Sequence, residues 1–333
     1  MRKLASIQRI KNIEPIEGAE AIEKATVLGW QLVIRKGEFK VGDLCVYVEI
    51  DSVLPNKPEF ELIRAKTNRI KTIKLRGQIS QGICFPLDVL PKGIDFVEDM
   101  DVTELLGVTK FEPPIPANLA GEMKGLFPSF IPKTDETRVQ VLEGLLQNYE
   151  GTSCYITEKL DGSSVTFYLK DGEFGVCSRN LDLLYSESNS MWKFAIENDI
   201  ERKLKSLNKN IALQGEIIGE GIQKNKYKQR GQTIYFFNVF DIDSYAYLSL
   251  NEVKILMKEL ELNMVPVLDE NYFLESSVES VIIKSQLRSV LNKETIAEGI
   301  VIRPVEEKMD KSIMNERISF KAINPNFLIK YDE

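Results

Sequence analysis

Strand-length runs cut by turn residues fill the first 95 positions, and this punctuation constrains the fold more than any other feature. The runs at 4–10, 30–34, 44–50 and 70–75 are short, apolar or alternating, and separated by Gly37, Gly42-Asp43, Pro55 and Gly77. Such strands leave exposed edges unless the sheet closes on itself, so residues 1–95 are predicted to form a small β-barrel. A proline-rich link follows over 96–132 (Pro113, Pro114, Pro116, Pro128, Pro132), where little regular structure is expected.

From 133 to 333 strand and helix signals mix. A helix is expected through Arg138, Val141, Leu142 and Leu145-Leu146, ending at Gly151. Asp171-Gly172 between two alternating runs predicts a hairpin. Trp192, Ala195-Ile196, Ile200 and Leu204 fall at helical spacing, and Ser249-Leu250-Asn251-Glu252 is a capping box before Val253. Val278, Val281-Ile282, Val290 and Leu291 suggest a further helix. The class is α+β: a small N-terminal barrel and a larger, mainly antiparallel mixed domain.

Composition removes whole chemistries. The 333 residues include no histidine, which excludes Ser-His-Asp and Cys-His catalysis and imidazole-bound zinc. Catalysis must then run through lysine, carboxylate and arginine, with a hard metal ion held by oxygen. Cys45, Cys84, Cys154 and Cys177 form no C-x-x-C pair and read as free thiols of a cytoplasmic protein. No signal peptide is evident, and no apolar run approaches the ~20 residues that span a bilayer. The net charge is -7, yet residues 1–95 carry 16 Lys+Arg against 12 Asp+Glu. Arg69, Lys71, Lys74 and Arg76 alternate there as a candidate nucleic-acid track or a solvated face.

Lys159 ends an alternating run and stands in Glu158-Lys159-Leu160-Asp161-Gly162, a placement suited to a nucleophile. Five segments follow in order: Ser178-Arg179-Asn180, Gln214-Gly215-Glu216, the aromatic run 235–242 with Phe240, Glu298-Gly299-Ile300-Val301, and Ser319-Phe320-Lys321. A carboxylate opening an otherwise apolar strand, as Glu298 does, is costly unless paired or bound to metal.

This ordered set resembles the covalent nucleotidyltransferases, the superfamily of ATP-dependent polynucleotide ligases and mRNA capping enzymes. It is most similar to RNA ligases that join 3′-hydroxyl and 5′-phosphate ends, with the stretch 215–227 resembling the nick-sealing branch. Residues 1–95 resemble the OB-type nucleic-acid-binding domain that one ligase subgroup places first. The resemblance implies ATP and Mg2+ or Mn2+ as cofactors and RNA as partner, with a monomer as the simplest assembly. It makes Lys159 the AMP acceptor, with Glu158 and Leu160 beside it in the nucleotide pocket. It assigns Lys321 to the α-phosphate, Glu298 to the metal, Asp161 to a second metal or water contact, and Glu216 to the ribose. Phe240 is implied to stack on adenine, Arg179 to contact the nucleotide or the RNA 3′ end, and Arg138 to meet the ATP tail phosphates.

Lys159 must attack as a neutral amine, so its pKa is expected to be lowered by Lys321 and the metal. One departure stands out: the family commonly carries a lysine where this chain has Ser319, and Arg317, Lys311 or Lys308 are candidate replacements. A DNA ligase or a GTP-using capping enzyme is expected to carry a C-terminal OB domain, for which the dozen residues after Lys321 leave no room. A non-catalytic nucleic-acid-binding relative is expected to have lost Lys159 or Glu298, and both are present.

Overall fold

The computed structural model describes residues 3–112, 123–313 and 316–331. The long strand Ala5–Pro15 organises the N-terminal part. It pairs with Leu44–Val48 through its first half and with Ile22–Val27 through its second, antiparallel in both cases. A register shift between Ile10 and Asn12 bends it from one partner to the other. Trp30–Arg35 and Ile83–Phe85 complete a five-stranded sheet. The hairpin Thr72–Leu75 and Gln78–Gln81 lies beside Trp30–Arg35 and nearly closes the barrel. Ile7, Ile10, Trp30, Leu32, Val46 and Tyr47 fill the interior. This is the small barrel expected from the punctuation, and it is OB-like, as the resemblance implies.

Its end lies later than residue 95. Val102, Leu106 and Val108 belong to the same core, Thr103–Leu106 is helical, and Thr109–Lys110 pairs with Ser52–Val53. A four-residue helix is too short to show a hydrophobic period, so the sequence pattern fades before the barrel ends. The link prolines Pro113, Pro114 and Pro116 lie outside the described residues.

The larger domain consists of two sheets. One, of seven strands among the described residues, centres on Ser163–Lys170, Ile211–Gly219 and Gln232–Asp241. The other, of five, runs Thr137–Arg138, Phe320–Ile323, Gly299–Pro304, Ser153–Lys159, Val267–Phe273. Its Thr137–Arg138 edge pairs parallel, and the remaining ladders of both sheets are antiparallel. Each sheet buries its outer face in a separate core. Val165, Phe167, Leu213, Ile234 and Phe236 pack under Ser190–Glu197, Ile200–Ser206 and Leu250–Glu259. Ile156, Ile300, Ile302 and Phe320 pack with Val139, Leu142 and the helix Val278–Lys284. Because side chains alternate along a strand, the polar residues Ser164, Gln214 and Glu216 take the other face, where Glu216 comes near enough to act on the charge of Lys159.

The local signals mostly have the predicted form. Asp171 and Gly172, at φ 51° and 84°, make the two-residue turn of a hairpin that pairs Lys170 with Glu173. Ser249 and Glu252 form the capping box. Two expectations are corrected. Arg138 is not helical: it pairs with Lys321 in a strand, and the helix is delayed to Glu143–Asn148. The helix begun at Val278 stops at Lys284, before Val290 and Leu291. In both places tertiary pairing overrides the local period.

Candidate active site

Register delivers the nucleophile. Ser153–Lys159 pairs with Gly299–Pro304 so that Lys159 lies opposite Gly299, and Glu298 is held at the strand entrance by its carbonyl accepting the Asn324 N–H at 2.8 Å. Lys159 Nζ therefore meets Glu298 Oε2 at 2.7 Å. Lys321 lies opposite Val301 and Arg138 opposite Lys321, so Lys159, Lys321 and Arg138 share one face. Glu216 arrives from the other sheet, opposite Ser164. Gly162 permits that approach: a Cβ there would sit 2.9 Å from Glu216 Cγ and run into the Ile217 carbonyl oxygen.

Charge is shared unevenly in this cluster. Burial works against the Lys159 ammonium, but Glu298, Glu216 and Asp161 outweigh it and lift the lysine above its ordinary range. Lys321 behaves oppositely: burial, then Arg138 and Lys159, lower it to about 7. Burial raises Glu216 to about 8, with Lys159 opposing and Glu298 and Asp161 adding to the rise. The expectation of a lowered Lys159 is thus corrected for the resting cleft, where its carboxylate neighbours hold it charged.

Asp161 forms a buried ion pair with Lys226, and its backbone N–H donates to the Tyr227 hydroxyl at 2.7 Å. Lys226 Nζ also lies 4.8 Å from the ring centres of both Phe327 and Tyr331. The far end of the stretch 215–227 thus clasps the nucleophile loop.

Other expected residues are placed differently. Glu158 alternates onto the outer face, where it accepts the Val290 N–H at 2.9 Å. Leu160 is buried with Ile218, Tyr227 and Val265. Phe240 is 1% exposed among Ile131, Tyr168 and Ala212, with Tyr245 and Tyr247 packed edge-on, so no ring face is open to a base. A bulge opposite Gln214 and Gly215 instead sets half-buried Phe237 against the Leu160 cluster. Arg179 pairs with Asp135, whose carboxyl is held low by Arg179 and Lys321 against the opposing effect of burial. Ser319 donates to Glu136 Oε1 at 2.7 Å and accepts from Arg303 Nε at 2.8 Å. The cation beside Ser319 is therefore Arg303, while Arg317 turns to Glu307 and Asn238. In the barrel, Arg69 does not face outward with Lys74 and Arg76 but binds Asp51.

A family model described as an OB-fold domain matches residues 4–87, and one described as RNA ligase matches residues 152–323. The Naegleria gruberi RNA ligase solved with PPi is 42% identical, at TM-score 0.90, over 100% of this chain and 99% of that one. This chain belongs to the RNA ligase family. A mutant of the Naegleria gruberi ligase solved with ATP and Mn matches at TM-score 0.90 and 42% identity over 100% of both chains, and an apo mutant at 0.89 and 41% over 99% and 98%. No curated protein sequence matches the ligase. None of its described helices is long and apolar enough to cross a membrane.

The donor set of the ligase's cleft suits a hard divalent ion, since it offers carboxylate oxygen and neither imidazole nor thiolate. Among the described residues no group of three or more Asp, Glu, His or Cys side chains is arranged to hold a metal unaided. A divalent ion in this cleft would find the Glu298 carboxylate beside Lys159.

Glu216 gives the ligase a testable pH dependence. Its folded pKa of about 8 lies above the ordinary value of 4.5, so between these the folded state binds the extra proton. Its cost to stability is absent below about pH 4.5 and complete above about pH 8. The Tm advantage of Glu216→Gln over wild type is thus expected to grow from pH 5 to pH 8; a constant difference would contradict the assignment.

Proposed function

We propose that the protein seals RNA ends bearing a 3′-hydroxyl and a 5′-phosphate, in three nucleotidyl transfers that begin with AMP attachment to Lys159. The observation that carries this reading is the Lys159–Glu298 contact at 2.7 Å on a face shared with Lys321 and Arg138. ATP, with Mg2+ or Mn2+, is the nucleotide donor; relatives have been solved with ATP and Mn.

In the first transfer, Lys159 Nζ attacks the α-phosphorus, a P–N bond forms, and the P–O bond to pyrophosphate breaks. Lys321 and Arg138 face the phosphoryl oxygens and the departing pyrophosphate. The resting ammonium must first give its proton to solvent, and the ion pair with Glu298 is what opposes that loss. Glu298 would hold a divalent ion, which would supply neutralisation of phosphate charge and so weaken that grip. Glu216 orients the ribose, and Phe237 rather than Phe240 offers a ring to adenine. In the second transfer the RNA 5′-phosphate oxygen displaces Lys159 from AMP; in the third, the 3′-hydroxyl displaces AMP.

Lys74 and Arg76, exposed on the barrel hairpin, with Lys71 beside them, form the RNA track. Cys45, Cys84, Cys154 and Cys177 are buried free thiols, which suits action in a reducing cytoplasm. A purely RNA-binding role would leave the Lys159–Glu298 pair without a purpose.

Incubation with ATP labelled at the α-phosphate is expected to leave a covalently labelled band after denaturation. Lys159→Ala is expected to abolish it. A wild-type band that stays unlabelled after pyrophosphate treatment would overturn the ligase chemistry.

A further inference from the structure

Asp51 belongs to the barrel yet reaches the catalytic cleft. Its backbone is pinned on both sides: its N–H donates to the Ile70 carbonyl at 2.8 Å, and its carbonyl accepts the Phe111 N–H at 2.7 Å. It is also held at φ 69°, a left-handed conformation that non-glycine residues seldom adopt. The carboxylate then divides its oxygens between two arginines. Oδ1 accepts from Arg69 Nε at 3.1 Å and Nη2 at 2.5 Å, while Oδ2 accepts from Arg138 Nη2 at 3.2 Å. All three side chains are largely shielded, and the Arg69 guanidinium also lies 4.8 Å over the Phe111 ring.

Arg138 needs such support. Its strand has two residues, paired on the outermost edge of the sheet, and so few ladder bonds do little to aim a long side chain. The barrel also docks through contacts other than Asp51. The Gly29 N–H donates to the Gln140 carbonyl at 2.8 Å, a Cβ on Gly29 would stand 2.5 Å from Val278 Cγ1, and Lys11 pairs with Glu143.

We propose that Asp51 is a positioning residue for the ATP step, by which the barrel aims Arg138 beside Lys321 at the phosphates of bound ATP. The barrel then serves nucleotide transfer as well as RNA binding. This rests on the lysine-adenylylation chemistry above and adds to it a residue outside the transferase domain. Charge-assisted bonds from a fixed carboxylate hold the guanidinium in one orientation before ATP arrives.

The test compares wild type, D51N, D51E and K11A in two reactions. One is AMP transfer from ATP to the protein. The other is joining of a strand supplied already adenylated at its 5′ end, which bypasses ATP. D51N is expected to raise KM for ATP about tenfold, while joining of the adenylated strand stays close to wild type. D51E, which keeps the charge, is expected to recover most of the loss, and K11A to match wild type. An unchanged KM in D51N, or equal loss in both reactions, would overturn the proposal. If D51N melts below assay temperature, Arg69→Met serves instead: it frees one side of Asp51 and raises KM by a smaller factor, and no rise overturns the proposal. Failure of wild type to take label is a separate result, which removes the adenylylation chemistry itself.

Discussion

Glu298→Gln is expected to slow AMP transfer to Lys159 by about a thousandfold. The substitution keeps the shape of the side chain and removes one charge. That charge has two opposed effects. It holds Lys159 as an ammonium, which alone retards attack, and it offers the cleft's entrance a ligand for a divalent ion. If the first effect dominated, the amide would make the enzyme faster, since Lys159 would lose its proton more easily. The proposed function requires the second to dominate. Single-turnover labelling with ATP, across a metal titration, separates them: slower transfer with a raised metal requirement supports the ligand role, and faster transfer would refute it.

Gly299→Ala is expected to destabilise the fold by about 3 kcal/mol or more, through overpacking that the sheet cannot relieve. An added Cβ would run into the Ala322 carbonyl oxygen and stand 2.9 Å from Ile323 Cα, both backbone atoms of the neighbouring strand. Backbone paired with a strand on each side cannot give way as a flexible side chain can. Gly299 is also the residue opposite Lys159, so any shift moves Glu298 away from the nucleophile. Denaturant unfolding should show a large fall in midpoint. A normal midpoint would mean that the strands are less closely spaced than described.

The chemistry was more legible in the sequence than the architecture around it. Lys159, Glu298 and Lys321 stand out because charged residues in apolar strands need a reason to be there. Their convergence across 162 residues of chain is a matter of register, which no local pattern encodes. Arg138 was legible as a candidate but not as a strand residue, because its partner Lys321 is far away in sequence. Phe240 and Phe237 look alike in an aromatic run; a bulge opposite Gln214 and Gly215 decides which ring is buried. Lys226 carried no signal of its own, since its contacts with Asp161, Phe327 and Tyr331 exist only in three dimensions. Arg69 was misread for the same reason: alternation suggested an outward face, and Asp51 draws it inward.

The two facing sheets have separate hydrophobic interiors, and the short turn from Lys159 to Ser163 is one place where the chain passes between them. Under the proposed chemistry, AMP bonded to Lys159 and reaching Glu216 is a rivet driven through both layers. The charged intermediate is then a more cohesive molecule than the empty one, and handing AMP to RNA withdraws the rivet. The extra cohesion is then lost one step before the strands are joined, so the final transfer takes place in the looser molecule.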